Sequence, residues 1–317
     1  VLPAVLTVLL WAVSATCSSR TSRHLGGPRA NRWRLVIAAA LLGIVVHAWI
    51  GLPQGSAVPW LLLSGAIGLG LGDLAMFAAY ERIGARLTVL MTQCLAVPVA
   101  GTLEWAWLGH AMQPAEIGWC AVIMAGTTMA LIPGCHLPAG SGRTLGYACG
   151  ALSALGLGIS GVVSRRAFTL DGAGLGGIEG GVAAAYLRNL GGLGCAFLAL
   201  LTVPALVRWG GPITRLWQRS QAVEHPDWRA GWPWLAVSAL VGPGLGVVCY
   251  QWALTGNLAG PVQAILATLP VVILPMAWWS EGDRPTPLAI VGGLVAVGGA
   301  VCLALRIGCA HPLVPGG

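Results

Sequence analysis

The stretch Gly68–Gly109, GLGLGDLAMFAAYERIGARLTVLMTQCLAVPVAGTLEWAWLG, decides how the rest of the chain is read. It falls into two apolar runs, Trp60–Tyr80 and Leu87–Leu108, joined by the short basic turn Glu81–Arg86. Each run is long enough to cross a hydrocarbon core, which takes ~20 helical residues. Each also holds one acid, Asp73 and Glu104. A carboxylate at membrane depth costs ~3 kcal/mol or more, so an acid in such a run faces a partner or a wet cavity. Two spanning helices with polar interior positions follow.

The composition extends that reading to the whole chain. Of 317 residues, 56% are hydrophobic and 9% charged, where a soluble domain carries roughly 25% charged residues. This is the composition of a polytopic membrane protein. The 47 glycines suit helices that pack closely in lipid. The net charge of +7 comes from 17 arginines and no lysine. They lie between apolar runs, where membrane topology accounts for them, so a nucleic-acid partner is excluded. The nine cysteines include no CxxC pair; neither a disulfide framework nor a metal site has the spacing it needs.

Ten apolar runs can be marked: 1–17, 35–52, 57–80, 87–108, 117–132, 145–163, 190–207, 232–254, 262–279 and 287–305. The first lacks the basic segment that opens a secretory signal and reads as a short transmembrane helix. The longer connections are Arg165–Asn189, rich in glycine, and Arg208–Gly231.

A repeat runs through these segments. GLGLG at Gly68–Gly72 matches GPGLG at Gly242–Gly246, 174 residues on. Pro98 matches Pro270 at an offset of 172, and Pro114, Ile117 and Gly126 match Pro287, Ile290 and Gly299 at 173. Ser19-Arg20 and Ser164-Arg165 end the first and sixth runs; Arg34 and Arg188 precede the second and seventh. The expected fold is all-α and integral to the membrane, with ten transmembrane helices in two five-helix repeats, residues 1–137 and 138–317. Five is odd, so the second repeat enters the membrane inverted, an arrangement that places a substrate site at the repeat interface.

Thirteen arginines fall in odd-numbered loops and four on the other side. The positive-inside rule then puts the odd loops in the cytoplasm and both termini outside.

Six motifs carry a resemblance. They are GLGLGDLAMFAAYERIGA (68–85), Pro98 and LGHAMQPAEIGW (108–119) in the first half, and Gln251–Gly260, Pro270 and SEGDRPTPLAIVGG (280–293) in the second. In these the chain resembles the EamA-type members of the drug/metabolite transporter superfamily. About three helices of each half match well and the others loosely, a likeness specific for fold and weak for substrate. The resemblance implies a secondary transporter, often an exporter of metabolites, amino acids or drugs, with both termini in the cytoplasm, against the arginine count. Two departures stand out. His110 follows Gly109 where the family often has an LGE-type turn, and Glu281 has extra spacing before Pro287.

Asp73 is the leading candidate for substrate or proton binding. Its helical neighbours Gly70, Met76, Phe77 and Tyr80 make a face of small, soft and aromatic groups suited to a cavity wall, and Val247 stands at its repeat-equivalent position. Pairing with an arginine is the plainer role. Glu104 lies nearer a loop, where snorkelling to the interface is the favoured reading. His47 is a candidate relay to Asp73, although a lone histidine in an apolar run is more often a packing residue. Tyr250, Gln251, Asn257 and Gln263 serve either a substrate or interhelical hydrogen bonds. Most of the 15 tryptophans sit near run ends, where aromatic belts form; Trp11 and Trp252 lie deeper and can stack on a substrate. Pro98, Pro270 and Pro275 interrupt helices and are the candidate hinges.

No Walker motif, dinucleotide fingerprint or nucleophile elbow is present. The chain therefore reads as a carrier and not an enzyme. It needs no metal or cofactor, and its partners are a small-molecule substrate, a proton as coupling ion and the lipid bilayer. The expected setting is the inner membrane of a prokaryote, as monomer or homodimer. The expected activity is proton-coupled export by alternating access, with protonation and substrate excluding each other at Asp73. The alternatives are an uncoupled facilitator or lipid-carrier flippase, and at a distance an intramembrane lipid-modifying enzyme, for which the acids and histidines are too scattered.

Overall fold

The computed structural model describes residues 2–53, 55–131, 143–170, 175–208, 226–273 and 286–310. The described residues form ten helices and no strand. These are α1 Leu2–Leu25, α2 Gly27–Ile50, α3 Ala57–Gly84, α4 Leu87–Leu108 and α5 Pro114–Leu131, followed by α6 Arg143–Phe168, α7 Gly177–Arg208, α8 Trp228–Gly256, α9 Ala259–Ile273 and α10 Pro287–Ala310. Helices α1–α4 and α6–α8 are long and apolar enough to span a membrane; α9 and the Pro287–Leu303 part of α10 are apolar but shorter. Large apolar side chains such as Ile44, Trp49, Leu201 and Leu294 stand exposed, as the lipid-facing side of such a bundle requires.

Helix ends depart from the expected runs wherever polar residues face inward. The first span does not stop at Cys17. Helix α1 continues to Leu25 and α2 begins at Gly27. Gly26, at φ 80°, makes the corner between them, a conformation open to glycine without a Cβ penalty. Arg188 and Asn189 were expected in a loop and lie inside α7. Hydropathy treats a polar residue as a loop residue. Here Thr21, Asn31, Arg34, Arg188 and Asn189 are all buried, each with hydrogen-bond partners in the bundle. Arg34 and Arg188 thus drop out of the loop-arginine comparison. The expected turn after Tyr80 is confined to Gly84, at φ 77° and ψ 163°, a region that is essentially glycine's alone.

Small residues set the packing. Helix α6 lies along α4, with Gly150 against Met91 and Gly158 against Val99. Helix α3 packs on α6 and α7, and α8 packs on α1 and α2. Helices α5 and α10 cross with their backbones in contact. A Cβ on Gly126 would lie 2.6 Å from the Ala296 nitrogen, and one on Gly292 2.5 Å from the Ala130 nitrogen. Both helices thereby present a small-xxx-small face, Gly126/Ala130 and Gly292/Ala296, the pattern that lets membrane helices approach closely.

Candidate functional site

Both glycine-rich repeats fall on widened helical turns. Residues Ala66–Gly72 of α3 and Leu240–Gly244 of α8 are π-helical. Such widened turns recur at functional sites. Both are met by an asparagine from a neighbouring helix. Asn31 Nδ2 of α2 donates to the Leu69 carbonyl at 3.1 Å, and Asn189 Nδ2 of α7 donates to the Pro243 carbonyl at 2.9 Å. Leu69 and Pro243 are 174 residues apart, the repeat offset.

An arginine accompanies each asparagine. Arg34 Nη1 donates to Ser18 Oγ of α1 at 3.2 Å, and Arg188 Nη1 donates to Ser164 Oγ of α6 at 3.2 Å. Each guanidinium also lies near a glycine from the other half of the chain. A Cβ on Gly242 would come within 3.7 Å of Arg34 Nη1, and one on Gly68 within 3.1 Å of Arg188 Nη2. Ser14 donates to the Ser238 carbonyl, and Ser64 to the Ser160 carbonyl, completing two matching clusters. The partner of Ser164 by role is Ser18, one residue from the Ser19 that sequence spacing suggests.

The clusters flank a cavity of about 730 Å³, open mouth included. Its polar wall holds Arg34, Asp73 and Arg188, and its apolar wall Trp11, Met76 and Tyr80. Asp73 forms an ion pair with Arg34, which Asn31 Oδ1 also meets at 3.1 Å. The Arg34 side chain is 6% exposed and that of Asp73 16%, so the acid reaches further into the cavity. Arg188 donates to Gln251 Oε1 at 2.5 Å and to Ser160 Oγ at 3.3 Å. The clusters therefore differ in charge: one arginine faces a carboxylate, the other only neutral acceptors.

Trp11, Asp73 and Tyr80 line this cavity. Phe77 is buried behind it, 5.2 Å from the Arg34 guanidinium and 5.7 Å from the Tyr80 ring. Tyr250, Gln251 and Gln263 form a buried layer under Arg188. Gln263 Nε2 donates to the Tyr250 hydroxyl at 2.8 Å, and the Tyr250 ring lies 5.4 Å from that of Trp11. Asn257 is tied to the Ala253 carbonyl at 2.8 Å, a helix-end contact.

Two expectations are corrected by geometry. Glu104 does not snorkel. It is fully buried and accepts from the Gly260 amide at 3.2 Å, where the amides opening α9 have no helical partner and favour an anion. Nearby, Arg165 donates to the Leu254 and Thr255 carbonyls near the end of α8, at 2.9 and 3.0 Å. The acid and the base together grip the α8–α9 corner from α4 and α6. His47 is no relay to Asp73. It is exposed, 3.3 Å from the Tyr186 hydroxyl, and 13 residues beyond Arg34 on α2, ~20 Å at the rise of a helix.

The expected hinges differ from one another. Pro98 lies within continuous helix α4 and removes the amide that would bond the Cys94 carbonyl. Pro270 follows a break in α9 at Ala267–Thr268, whose Ala267 carbonyl accepts from Thr127 at 3.0 Å. Pro275 lies outside the described residues, as does Glu281.

Arg34, Arg188, Asn31 and Asn189 are the site residues that sequence reasoning passed over. Their signal was present in the matched placement of Arg34 and Arg188, which the loop assignment hid.

The chain matches no curated protein. A solved crystal structure covers 98% of this chain and 98% of its own at a TM-score of 0.69 and 18% identity, a likeness that shows the fold alone. Residues 1–132 match the model of the EamA-like transporter family. Over those residues the chain is similar to the EamA-like transporter family, which belongs to the drug/metabolite transporter superfamily.

Proposed function

We propose that the chain is a secondary active transporter that exports a small metabolite, amino acid or drug across a prokaryotic inner membrane by alternating access. It does so with two inverted five-helix repeats, residues 1–137 and 138–317. The single observation that carries this reading is the cavity between the two matched Arg–Ser–Asn clusters. The inverted repeat is supported by packing partners that exchange between halves: α3 with α6 and α7, as α8 with α1 and α2. A site that both halves share is reached from either side when they rock about it.

Coupling to protons is assigned to Asp73, an intramembrane acid on the cavity wall. The charged or titratable groups that face it are Arg34 from α2, Arg188 from α7 and Tyr80 on its own helix; α1, α4, α6 and α8 present only neutral groups to the cavity. Uncoupled facilitation is the second reading, favoured by the ion pair that already satisfies Asp73.

The test is flux in proteoliposomes loaded with a pH-sensitive dye, with wild type beside Asp73→Asn and a panel of amino acids, nucleosides and dyes. Solute-dependent proton movement that the variant loses supports coupling at Asp73. Solute flux without proton movement selects facilitation, and absence of any flux across the panel overturns the transport reading.

A further inference from the structure

The three charged groups of the cavity do not cancel. Arg34 and Asp73 form one ion pair, and Arg188 is left over. Among the described residues it has no carboxylate within ion-pair reach, because the pairs there are Arg34–Asp73 and Arg82–Glu81. Arg188 is 1% exposed. A guanidinium so far from water is costly unless its charge is answered, and its neighbours are all neutral: Gln251, Ser164 and Ser160 offer dipoles, and the Tyr250 ring lies 5.4 Å away.

The hydrogen-bond pattern shows where an answering charge fits. The two Nη1 hydrogens are taken by Gln251 and Ser164. On the other edge, Nη2 makes one contact at 3.3 Å and Nε makes none. Nε–H and the outer Nη2–H point in parallel, the spacing that binds a carboxylate or phosphate side-on with two bonds. Arg188 and Gly68 line the cavity together, and a Cβ on Gly68 would come within 3.1 Å of Nη2, so the missing side chain keeps this edge of the guanidinium uncrowded. The other half of the site supplies the control. There the matching guanidinium receives the Asp73 carboxylate; the repeat-equivalent residue on the Arg188 side is Val247, buried and against the cavity. The protein provides an anion to one arginine and withholds it from the other.

We infer that Arg188 is the docking group for the oxyanion head of the transported solute, and that the solute is a small organic anion whose apolar body lies against Trp11, Met76 and Tyr80. This deepens the transport reading and depends on it for its physiological meaning, while the binding it asserts is measurable without transport. For such a solute, occupancy and protonation of Asp73 assist each other, since a neutral Asp73 frees Arg34 as a second cation. That reverses the exclusion expected from the acid alone.

The test uses the purified full chain in detergent at constant ionic strength. Thermal stability is followed with a matched set of probes: 3-phenylpropionate, 3-phenylpropionamide, 3-phenylpropylamine and phenyl phosphate. Wild type is expected to be stabilised by an oxyanion and not by the amide or the amine; carboxylate against phosphate then identifies the head group. Arg188→Gln is expected to weaken oxyanion binding about tenfold or more, the effect of one charge-assisted contact. Val247→Asp tests the same point without removing the arginine, by giving Arg188 an internal carboxylate; it too should lose the oxyanion. Equal binding of amide and oxyanion by wild type, or wild-type affinity in both variants, overturns the inference. So does failure of both oxyanions to stabilise wild type beyond the amide. Counterflow in proteoliposomes separates the two readings. Movement of amide or amine but not oxyanion overturns this inference and leaves transport standing. Oxyanion binding without flux of any probe supports this inference and overturns transport.

Discussion

The Arg34–Asp73 pair can be weighed by a double-mutant cycle. Removing one partner of a buried ion pair costs ~3–5 kcal/mol, because the other charge is left uncompensated. Two features lower that figure here. Arg34 keeps acceptors in Asn31 and Ser18, and Asp73, at 16% exposure, borders a cavity that can admit water. Asp73→Asn should therefore cost about 1–3 kcal/mol, the cost of an unmatched buried polar group. Arg34→Gln should cost somewhat more, because it also strands the second contacts and uncovers Phe77. The double variant leaves no stranded charge and should cost less than the sum by ~1.5–3 kcal/mol. Equilibrium unfolding of the four proteins in mixed detergent micelles reads the coupling directly. Additivity within about 0.5 kcal/mol, the behaviour of independent sites, would refute the claim that the two side chains form one unit.

Glu104→Ala should destabilise the chain by about 1–3 kcal/mol by stranding the α9 amides, and Glu104→Gln by less; unfolding of both variants checks the order. Gly292→Leu should separate α5 from α10, because its Cβ would lie 2.5 Å from the Ala130 nitrogen. Overpacking costs ~1–3 kcal/mol or more, and a melt no lower than wild type would show that the crossing is not this tight. His47→Ala, at an exposed position far from the cavity, should shift stability by no more than about 0.5 kcal/mol and leave the pH profile of transport unchanged; a displaced profile would reinstate it as part of a relay.

The number and apolarity of the helices were readable along the chain. The helices of ten apolar runs were legible because a lipid-facing surface needs apolar side chains on most of each span, whatever the interior holds. GLGLG and GPGLG were legible as a pair because close helix packing asks for small residues, which leave a recognisable spacing in the sequence. Asp73 was legible because a charge in lipid always asks for a reason. The helix ends were not, and the cause is the same physics seen from inside. Asn31, Arg34, Arg188 and Asn189 look like loop residues to any hydropathy count, since the count does not know which neighbours will answer them.

By itself, the sequence determined an all-helical membrane chain, its family resemblance and an acid on a cavity wall. Only the tertiary structure decided that Asp73 meets Arg34, that Glu104 holds the start of α9, and that His47 stands apart. It alone brought Arg34 and Arg188, 154 residues apart, to one cavity with one carboxylate between them. Membership of a helix in lipid is a property of each segment's own surface energy and can be summed residue by residue. The pairing of charges across segments depends on which faces meet, and packing sets those faces.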